Sequence, residues 1–258
     1  MKKTKGNVAG QGAVLGKAAD GRDRQGGEGF PWPRTGAEAR ACQDRLRLKV
    51  CLRPLPQPAR LVAGVDAAYD KTGRRIFGAA VVMSLPDLAI IESAGACGQE
   101  QFPYVPGLLS FREAPILLAA LEKIRSRPQV VLVDGQGIAH PRGVGLASHL
   151  GLLCGIPTIG CAKSHLWGNY GQVGLEAGSV SPLVWQEKTL GWVLRPRRGL
   201  RPLFISPGHL ITPAESLAVV RQCLGKYRLP LPVREAHLLS NRLRRLGKPR
   251  GPLEGPGE

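Results

Sequence analysis

The sequence lacks the long apolar runs that membrane proteins need. No stretch approaches the ~18 consecutive apolar residues of a membrane-spanning helix, so we expect no membrane partner. The first residues include Lys2, Lys3 and Lys5 but not the apolar core of about 7–15 residues that a secretory signal contains. The simplest expectation is a cytoplasmic protein.

Cysteine patterns typical of metal or disulfide scaffolds are also missing. The sequence has no CxxC pair, and no histidines follow a cysteine at zinc-finger spacing. It therefore gives no indication of a zinc module or a disulfide framework. Most of the six cysteines stand in apolar surroundings, which predicts reduced and buried side chains for Cys42, Cys51, Cys97, Cys154, Cys161 and Cys223.

Acidic side chains are scarce relative to basic ones. The chain contains 36 Lys and Arg but 19 Asp and Glu, which gives a formal net charge of +17 and an isoelectric point near 10.3. A protein this basic is attracted to polyanions, and nucleic acid is the first partner to consider. The alternative is a solvated basic surface whose only effect is on solubility.

The length of 258 residues favours one folded domain with a tail at each end. Residues 1–35 are rich in Gly and basic side chains and poor in large apolar ones, so they cannot offset the entropy of an ordered chain. We therefore predict a disordered basic tail over 1–35, a folded domain over 36–247 and a flexible tail over 248–258.

The segment from Val130 to Trp167 has the pattern of a buried α/β unit. The apolar run 130–133 ends at Asp134 and a glycine-rich turn, which is typical of a buried parallel strand. A helix is predicted to open at Pro141 and to end at Gly155. A second strand over 156–160 then delivers Lys163 at its carboxyl end. That edge is where ligands bind in open α/β sheets.

Other patterns complete a mixed α/β outline. Two β-branched runs joined by Pro86–Asp87 predict meander strands, and the last helix is expected to turn four leucines toward the core: Leu238, Leu239, Leu243 and Leu246. The predicted helices span 37–50, 213–224 and 233–246, and the predicted strands span 61–66, 76–83, 88–94 and 202–205, with a hairpin over 183–194.

Carboxylates on this outline suggest a magnesium site. Asp66 and Asp134 each lie on a strand of one sheet, and magnesium usually binds one or two carboxylates together with substrate phosphate. Glu113, near a helix start, is a third candidate. A competing interpretation is a capping box in which Ser110 and Glu113 close the helix end, and the two roles can coexist.

Two further polar residues follow Asp134. His140 lies in a glycine-rich loop, where it is a candidate proton donor, phosphate contact or support for a ligand; alone, a loop histidine is more often structural. Lys163 is a candidate for stabilising charge on an attacked phosphate, although alone it is a surface lysine. Together, these residue types suit metal-assisted attack on phosphate.

A proline-braced apolar loop runs from Phe102 to Leu109. Prolines stiffen a loop, and an exposed aromatic on it can stack on a base or wedge between base steps. The alternative is that Tyr104 and Leu108 anchor the loop in the core.

These residues together resemble the endonuclease V family of inosine-directed nucleases. The matching segments stand in the family's order and span about residues 36–247: GVDAAYD at 64–70, PYVPGLLSFRE at 103–113, DGQGIAHPRGVGLASHLG at 134–151, AKSHLWG at 162–168, FISPGH at 204–209 and AHLLSNRLRR at 236–245.

The resemblance implies a fold and a set of site residues. The fold is ribonuclease-H-like, with a mixed five-stranded sheet whose first three strands are antiparallel, flanked by helices, so that 36–247 is the catalytic domain. The family's site falls on metal-binding Asp66 and Asp134, on Glu113, His140 and Lys163, and, with the weakest match, on His237. The substrate-binding residues fall on the strand-separating Tyr104 with Pro103 and Pro106, and on a base pocket of Gly107, Leu109, Gly135 and Gln136.

The resemblance also implies a reaction. A Mg²⁺-dependent enzyme, in which Mn²⁺ is expected to substitute, recognises deoxyinosine in DNA and cuts the second phosphodiester on its 3′ side, leaving 3′-hydroxyl and 5′-phosphate ends. Alternatives are an inosine-specific ribonuclease acting on single-stranded RNA and a noncatalytic nucleic-acid binder. We expect a monomer without an obligatory protein partner.

Overall fold

The computed structural model describes residues 32–70 and 74–247. Most of the predicted tail of residues 1–35, and all of the predicted tail of residues 248–258, lie outside this range. Five helices are described: α1 Gly36–Arg47, α2 Leu109–Leu121, α3 Leu146–Cys154, α4 Pro213–Gln222 and α5 Leu231–Leu246. The strands are β1 Leu61–Tyr69, β2 Arg75–Ser84, β3 Ile90–Gln99, β4 Val130–Val133, β5 Thr158–Ala162, β6 Asn169–Tyr170, β7 Val180–Trp185, β8 Lys188–Leu194 and β9 Leu203–His209.

A single mixed sheet organises the fold, in the order β3-β2-β1-β4-β5-β9-β8-β7-β6. The first three strands form an antiparallel meander, β4 runs parallel to β1, and β5 runs parallel to β4. This confirms the predicted fold class. The described sheet has nine strands rather than five because β9 pairs antiparallel with β5 and continues the sheet into β8, β7 and β6.

The boundaries around Asp134 differ from the sequence prediction. Helix α3 begins at Leu146 and not at Pro141, because a turn intervenes in which the Gly143 N–H donates to the His140 carbonyl. Gly143 has φ +68°, which favours glycine. The predicted end at Gly155 is confirmed, with φ +67° at the cap. Strand β5 covers 158–162 rather than 156–160 and still ends directly before Lys163.

Apolar side chains fill both sides of the sheet. On one side α2 and α3 pack on alternate residues of β1 and β4, among them Val65 and Val133. On the other side α5 packs on the intervening residues, among them Val62 and Leu132, and α4 packs on β8 and β9. Because successive strand residues face opposite sides, the carboxyl ends of β1 and β4 present side chains to both helical layers.

Helix α5 is rotated relative to the prediction from its leucines. Its buried residues are Pro232, Val233, Ala236, Ser240 and Leu243, whereas Leu238 is 43% exposed and Leu246 is 48% exposed. Leu239 is partly buried against the core. The prediction was therefore wrong for Leu238 and Leu246, because a hydrophobicity pattern does not assign Ser240 to the buried stripe.

All six cysteines lie in the described part of the chain, and all are free thiols there. Cys161 and Cys223 are buried as predicted, but Cys51 is exposed, so the prediction of burial was wrong for that residue. Among the described residues, no helix is long and apolar enough to cross a membrane.

Candidate active site

Two carboxylates meet where β1 and β4 run side by side. The register pairs Val65 with Val133, and the residue after each of these is Asp66 or Asp134. His237 on α5 places its Nδ1 atom 3.0 Å from Asp66 Oδ2. One ligand atom from each of the three side chains lies within 4.8 Å of the other two. A cation in this cluster can therefore contact all three residues.

The surroundings of Asp66 favour a positive charge. Burial and the neighbouring charge of Asp134 raise the pKa of the Asp66 carboxyl, while hydrogen bonds from Ser240 and His237 act in the other direction. The Ser240 hydroxyl donates to Asp66 Oδ2 at 2.8 Å. Two carboxylates that share a buried position repel each other, and a bound cation relieves this repulsion.

Glu113 approaches the same cluster from α2, on the opposite face of the sheet. It is buried, and the Tyr69 hydroxyl donates to Glu113 Oε1 at 2.6 Å. Burial, assisted by the charges of Asp66 and Asp134, raises the pKa of Glu113 to about 7, even though the Tyr69 bond lowers it. Glu113 is thus a third acidic group facing the two aspartates.

The capping-box interpretation of Ser110 and Glu113 was wrong. Helix α2 begins at Leu109, so Ser110 lies within the first turn, and no side chain caps the helix end at Leu108. The Ser110 hydroxyl instead lies 3.0 Å from His149 Nδ1. The Glu113 carboxyl is consequently available to the acidic cluster.

Sequence reasoning missed three residues that hold the carboxylates in place: Tyr69, Ser240 and Arg112. The Arg112 guanidinium stacks 4.0 Å above the Tyr69 ring and donates to Glu100 at 2.9 Å. All three lie inside segments that carry the family resemblance, but the local pattern gives no signal for contacts over such sequence separations.

Lys163 lies on the other side of Asp134. Its Nζ atom is 2.5 Å from Asp134 Oδ2, and its side chain is about half exposed. The Arg228 guanidinium donates to the Lys163 carbonyl and, at 2.6 Å, to the Pro202 carbonyl. This edge of the cluster therefore offers a partly exposed ammonium group next to an aspartate.

His140 contacts backbone groups rather than the acidic cluster. Its Nδ1 accepts the Arg142 N–H at 3.1 Å, so Nε2 carries the proton and donates to the Gly107 carbonyl, also at 3.1 Å. Burial lowers the pKa of His140 to about 4, which keeps the ring neutral at physiological pH. Of the three roles that the sequence suggests for His140, this geometry supports the one in which the ring holds neighbouring groups in place.

A cleft of about 310 Å³ opens beside Asp134 and Lys163. Its walls are the loop at 104–107, the segment from Gly135 to Leu146 and the end of β5. Gly107, Leu109, Gly135 and Gln136, which the resemblance assigns to a base pocket, line it together with Pro106 and His140, whereas Pro103 is exposed outside the lining.

Tyr104 lies at the edge of this cleft and is 63% exposed. Leu108, four residues later, is fully buried. The two alternatives for the loop therefore each apply to one residue: Leu108 anchors it in the core, and Tyr104 projects into solvent. The Leu108 N–H donates to the Val105 carbonyl, which closes a tight turn, and Gly107 has φ +79° there.

The chain is similar to known nucleases over most of its length. A protein-family model described as Endonuclease V matches residues 44–238. Endonuclease V of Nostoc punctiforme is 48% identical over 211 residues, which is 81% of this chain and 96% of that protein.

Solved structures agree with the sequence comparison. The crystal structure of Endonuclease V from Streptomyces avermitilis has a TM-score of 0.79 at 42% identity and covers 84% of this chain and 96% of its own. That of Ciona intestinalis Endonuclease V, in complex with a 23mer DNA containing an inosine followed by a ribo-adenosine, has a TM-score of 0.73 at 27% identity and covers 82% of this chain and 98% of its own. The chain belongs to the endonuclease V family.

Proposed function

We propose that this protein is a DNA repair endonuclease that recognises deoxyinosine and hydrolyses the second phosphodiester on its 3′ side, leaving 3′-hydroxyl and 5′-phosphate ends. The observation that carries the proposal is the position of the Asp66, Asp134 and His237 cluster directly beside a base-sized cleft. Family membership and the inosine-containing DNA bound by the Ciona protein support the same substrate.

The donor set fits a divalent metal. Asp66 and Asp134 supply the hard oxygen ligands that Mg²⁺ and Mn²⁺ prefer, and we propose Mg²⁺ as the cofactor with Mn²⁺ as a substitute. His237 completes the cluster by its bond to Asp66. When bound, the metal supplies Lewis acidity that stabilises charge on the phosphate and lowers the pKa of water.

Other side chains at the site are suited to the remaining steps of the reaction. Glu113, with a pKa close to neutrality, is suited to receive a proton from the attacking water. Lys163 is suited to stabilise the negative charge that develops on the phosphate. Tyr69 and Ser240 hold Glu113 and Asp66 in position through their hydroxyl groups.

The cleft is suited to a base that has been flipped out of the DNA duplex. Gly107, Leu109, Gly135 and Gln136 line it and would meet the base with their main-chain groups, and Tyr104 stands at its edge where it can occupy the gap left in the duplex. Extrusion costs least where pairing is already weak, as it is for hypoxanthine. Recognition by shape and main-chain groups therefore agrees with a deaminated adenine as the target.

Inosine in single-stranded RNA is the second candidate substrate. The DNA in the Ciona complex has a ribo-adenosine directly after its inosine, so that protein accommodates a ribose at this position. A noncatalytic binder is the weaker alternative, because Asp66, Glu113 and Asp134 are all present and their charges interact.

Cleavage of end-labelled strands tests the proposal. DNA and RNA versions with one central inosine, beside an adenine control, are incubated with the protein in Mg²⁺ or EDTA. We expect Mg²⁺-dependent cutting of the DNA one nucleotide beyond the inosine. Cutting of RNA alone would transfer the function to RNA metabolism, and binding without cutting would favour the noncatalytic alternative.

A matched pair of variants assigns the cutting to this site. Asp134→Asn removes a charge from the acidic cluster and should lower the cleavage rate by about 10²-fold or more while largely preserving binding. Asp87→Asn makes the same change at an exposed turn and should have no effect. Full activity in Asp134→Asn would refute the site assignment.

A further inference from the structure

Helix α1 buries a polar side chain against the cleft. Of its twelve residues, Ala39 and Gln43 are buried, and Gln43 is only 1% exposed. Its Oε1 atom has no hydrogen-bond partner among residues 32–70 and 74–247. A buried amide with an unpaired oxygen is costly, which points to a specific role for the two N–H groups of Gln43.

Both N–H groups of Gln43 are used, and each holds a different wall of the cleft. Nε2 donates to the Gly107 carbonyl at 2.9 Å, at the end of the loop that carries Tyr104. It also donates to the Val144 carbonyl at 3.2 Å, in the segment that precedes α3. Gly107 and Val144 both line the cleft, so one side chain connects its opposite walls.

The Gly107 carbonyl accepts a second bond, from neutral His140, at 3.1 Å. Gln43 and His140 thus converge on one carbonyl from different elements. Gly107 has a positive φ, and the N–H of the same peptide group, on Leu108, donates to the Val105 carbonyl at 2.9 Å, so the two side-chain donors fix the carbonyl end of a peptide group whose N–H closes the loop. The pair of donors determines how the loop meets the base pocket.

We infer that Gln43 is a positioning residue for base recognition, which acts through Gly107 and Val144 and holds the two walls of the cleft at a fixed separation. The inference rests on the proposed function for its substrate, and it assigns a role to a helix outside the predicted site. Gln43 stands one residue before the segment matched by the family model.

Two variants of α1 test the inference. Gln43→Met keeps the length of the side chain, removes both donors and removes the unpaired oxygen, so the variant should fold. Ala39→Gly is the matched control, because it weakens α1 at its other buried position without touching Gly107 or Val144. Thermal unfolding shows whether each variant is folded.

Hydrogen exchange of residues 103–109, measured without nucleic acid, is the first readout. Loss of two modest hydrogen bonds should speed exchange in this loop by about tenfold in Gln43→Met. The control should leave the loop unchanged. Equal exchange in Gln43→Met and the unaltered protein would overturn the inference, and so would equal acceleration in Ala39→Gly, which would indicate a general role in helix stability.

Cleavage kinetics on an inosine strand are the second readout. Gln43→Met should raise KM by about tenfold and change kcat little, since it loosens the pocket and leaves the acidic cluster intact. The double variant Gln43→Met with His140→Phe should raise KM by more than the two single increases together. In each single variant the remaining donor still holds Gly107, and in the double variant neither does. Unchanged KM in an otherwise active enzyme would count against the role.

These readouts separate the two proposals. If the unaltered protein does not cut beside inosine, the proposed function fails, while the exchange measurement still decides whether Gln43 fixes the loop. If the unaltered protein cuts beside inosine, and Gln43→Met has the same hydrogen exchange in the loop and the same KM, only the inference about Gln43 fails.

Discussion

Tyr104 combines high exposure with a rigid setting. Its neighbours Pro103 and Pro106 limit the loop, and Leu108 fixes it to the core. We predict that Tyr104→Ala lowers cleavage of inosine in a duplex by about tenfold, the size of one lost stacking contact, and affects single-stranded substrate less. Comparison of the two substrates under single-turnover conditions measures this difference.

Tyr104→Phe is the matched control for this prediction. It keeps the ring and removes only the hydroxyl, so it should retain most of the duplex activity. A loss in Tyr104→Ala that is equal for duplex and single strand would contradict a role in strand separation. Thermal stability should not change in either variant, because the side chain is exposed.

Buried His149 should make the protein sensitive to acid. Burial lowers the pKa of His149 to about 4, below the ordinary value of about 6.5. The unfolded chain therefore takes up a proton between these values and the folded protein does not. Stability is lost as the pH falls from about 6.5 to about 4, by about 2 kcal/mol at pH 5 from this residue.

Urea unfolding of His149→Gln at pH 7 and pH 5 measures this contribution. The variant should lose less stability between the two pH values than the unaltered protein. The comparison is needed because Glu113 acts in the opposite direction: its raised pKa makes the folded protein bind a proton first as the pH falls below about 7. An equal loss in both proteins would exclude His149 as a source of acid sensitivity.

Single residues differ in how far the sequence predicts their surroundings. The apolar runs before Asp134 and Lys163 predicted their positions directly after strand ends, and the structure has both there. Asp66 instead lies within β1, which continues to Tyr69 beyond the predicted end at 66. Contacts such as Tyr69 to Glu113 or Ser240 to Asp66 join residues far apart in the chain. No local pattern contains that information, so such contacts had to be seen in the structure.

At the scale of elements, the packing of α5 on β1 positions half of the acidic cluster. Gly64 permits this close approach, since a Cβ atom there would lie 2.0 Å from the Pro232 carbonyl carbon. The Pro232 atom belongs to the backbone, and the position of a Cβ is fixed by its own backbone, so neither can rotate away. Asp66 is two residues further along β1 on the same face, and His237 and Ser240 lie on α5.

Gly64→Ala should therefore weaken both folding and cutting. We expect a loss of about 1–3 kcal/mol or more in the free energy of unfolding, and a lower cleavage rate at temperatures where the variant is still folded. Gly98→Ala on β3 is the control, because its Cβ would meet only the end of Ile116 at 3.4 Å. Normal activity and stability in Gly64→Ala would contradict this prediction, because it would show that α5 can move away from β1 without loss of folding free energy.

Elements with a uniform apolar pattern were predicted well, and those shaped by partners were not. The run Val130–Val133 is fully buried, and its strand matches the prediction residue for residue. Strand β9 extends to His209, beyond the predicted Ile205, because pairing with β5 continues through a stretch that contains Pro207. Pairing across the sheet, rather than propensity, sets such boundaries.

At the scale of the whole molecule, the net charge of +17 should control binding. Residues 1–35 hold seven basic and three acidic side chains, so most of the excess lies in the rest of the chain. If about six phosphates are contacted, raising NaCl from about 50 to about 200 mM should weaken DNA binding by about 10³-fold. Fluorescence anisotropy with a labelled duplex measures this dependence.

A chain without residues 1–35 tests where the binding charge lies. It should fold, which the predicted division into tail and domain requires, and should keep most of the salt dependence of the full chain. Near-complete loss of that dependence would assign nucleic-acid binding to the tail instead. The domain boundaries stay a prediction until such a chain is made.

The distance along the chain between the parts of the acidic cluster has a consequence for synthesis. Asp66 is made 171 positions before His237, and α5, which covers β1, is among the last described elements to be translated. A nascent chain, or one cut short by an early stop codon, has its aspartates without His237 and Ser240. The cell therefore makes a complete Asp66, Asp134 and His237 cluster only once almost the whole of the described chain has been translated.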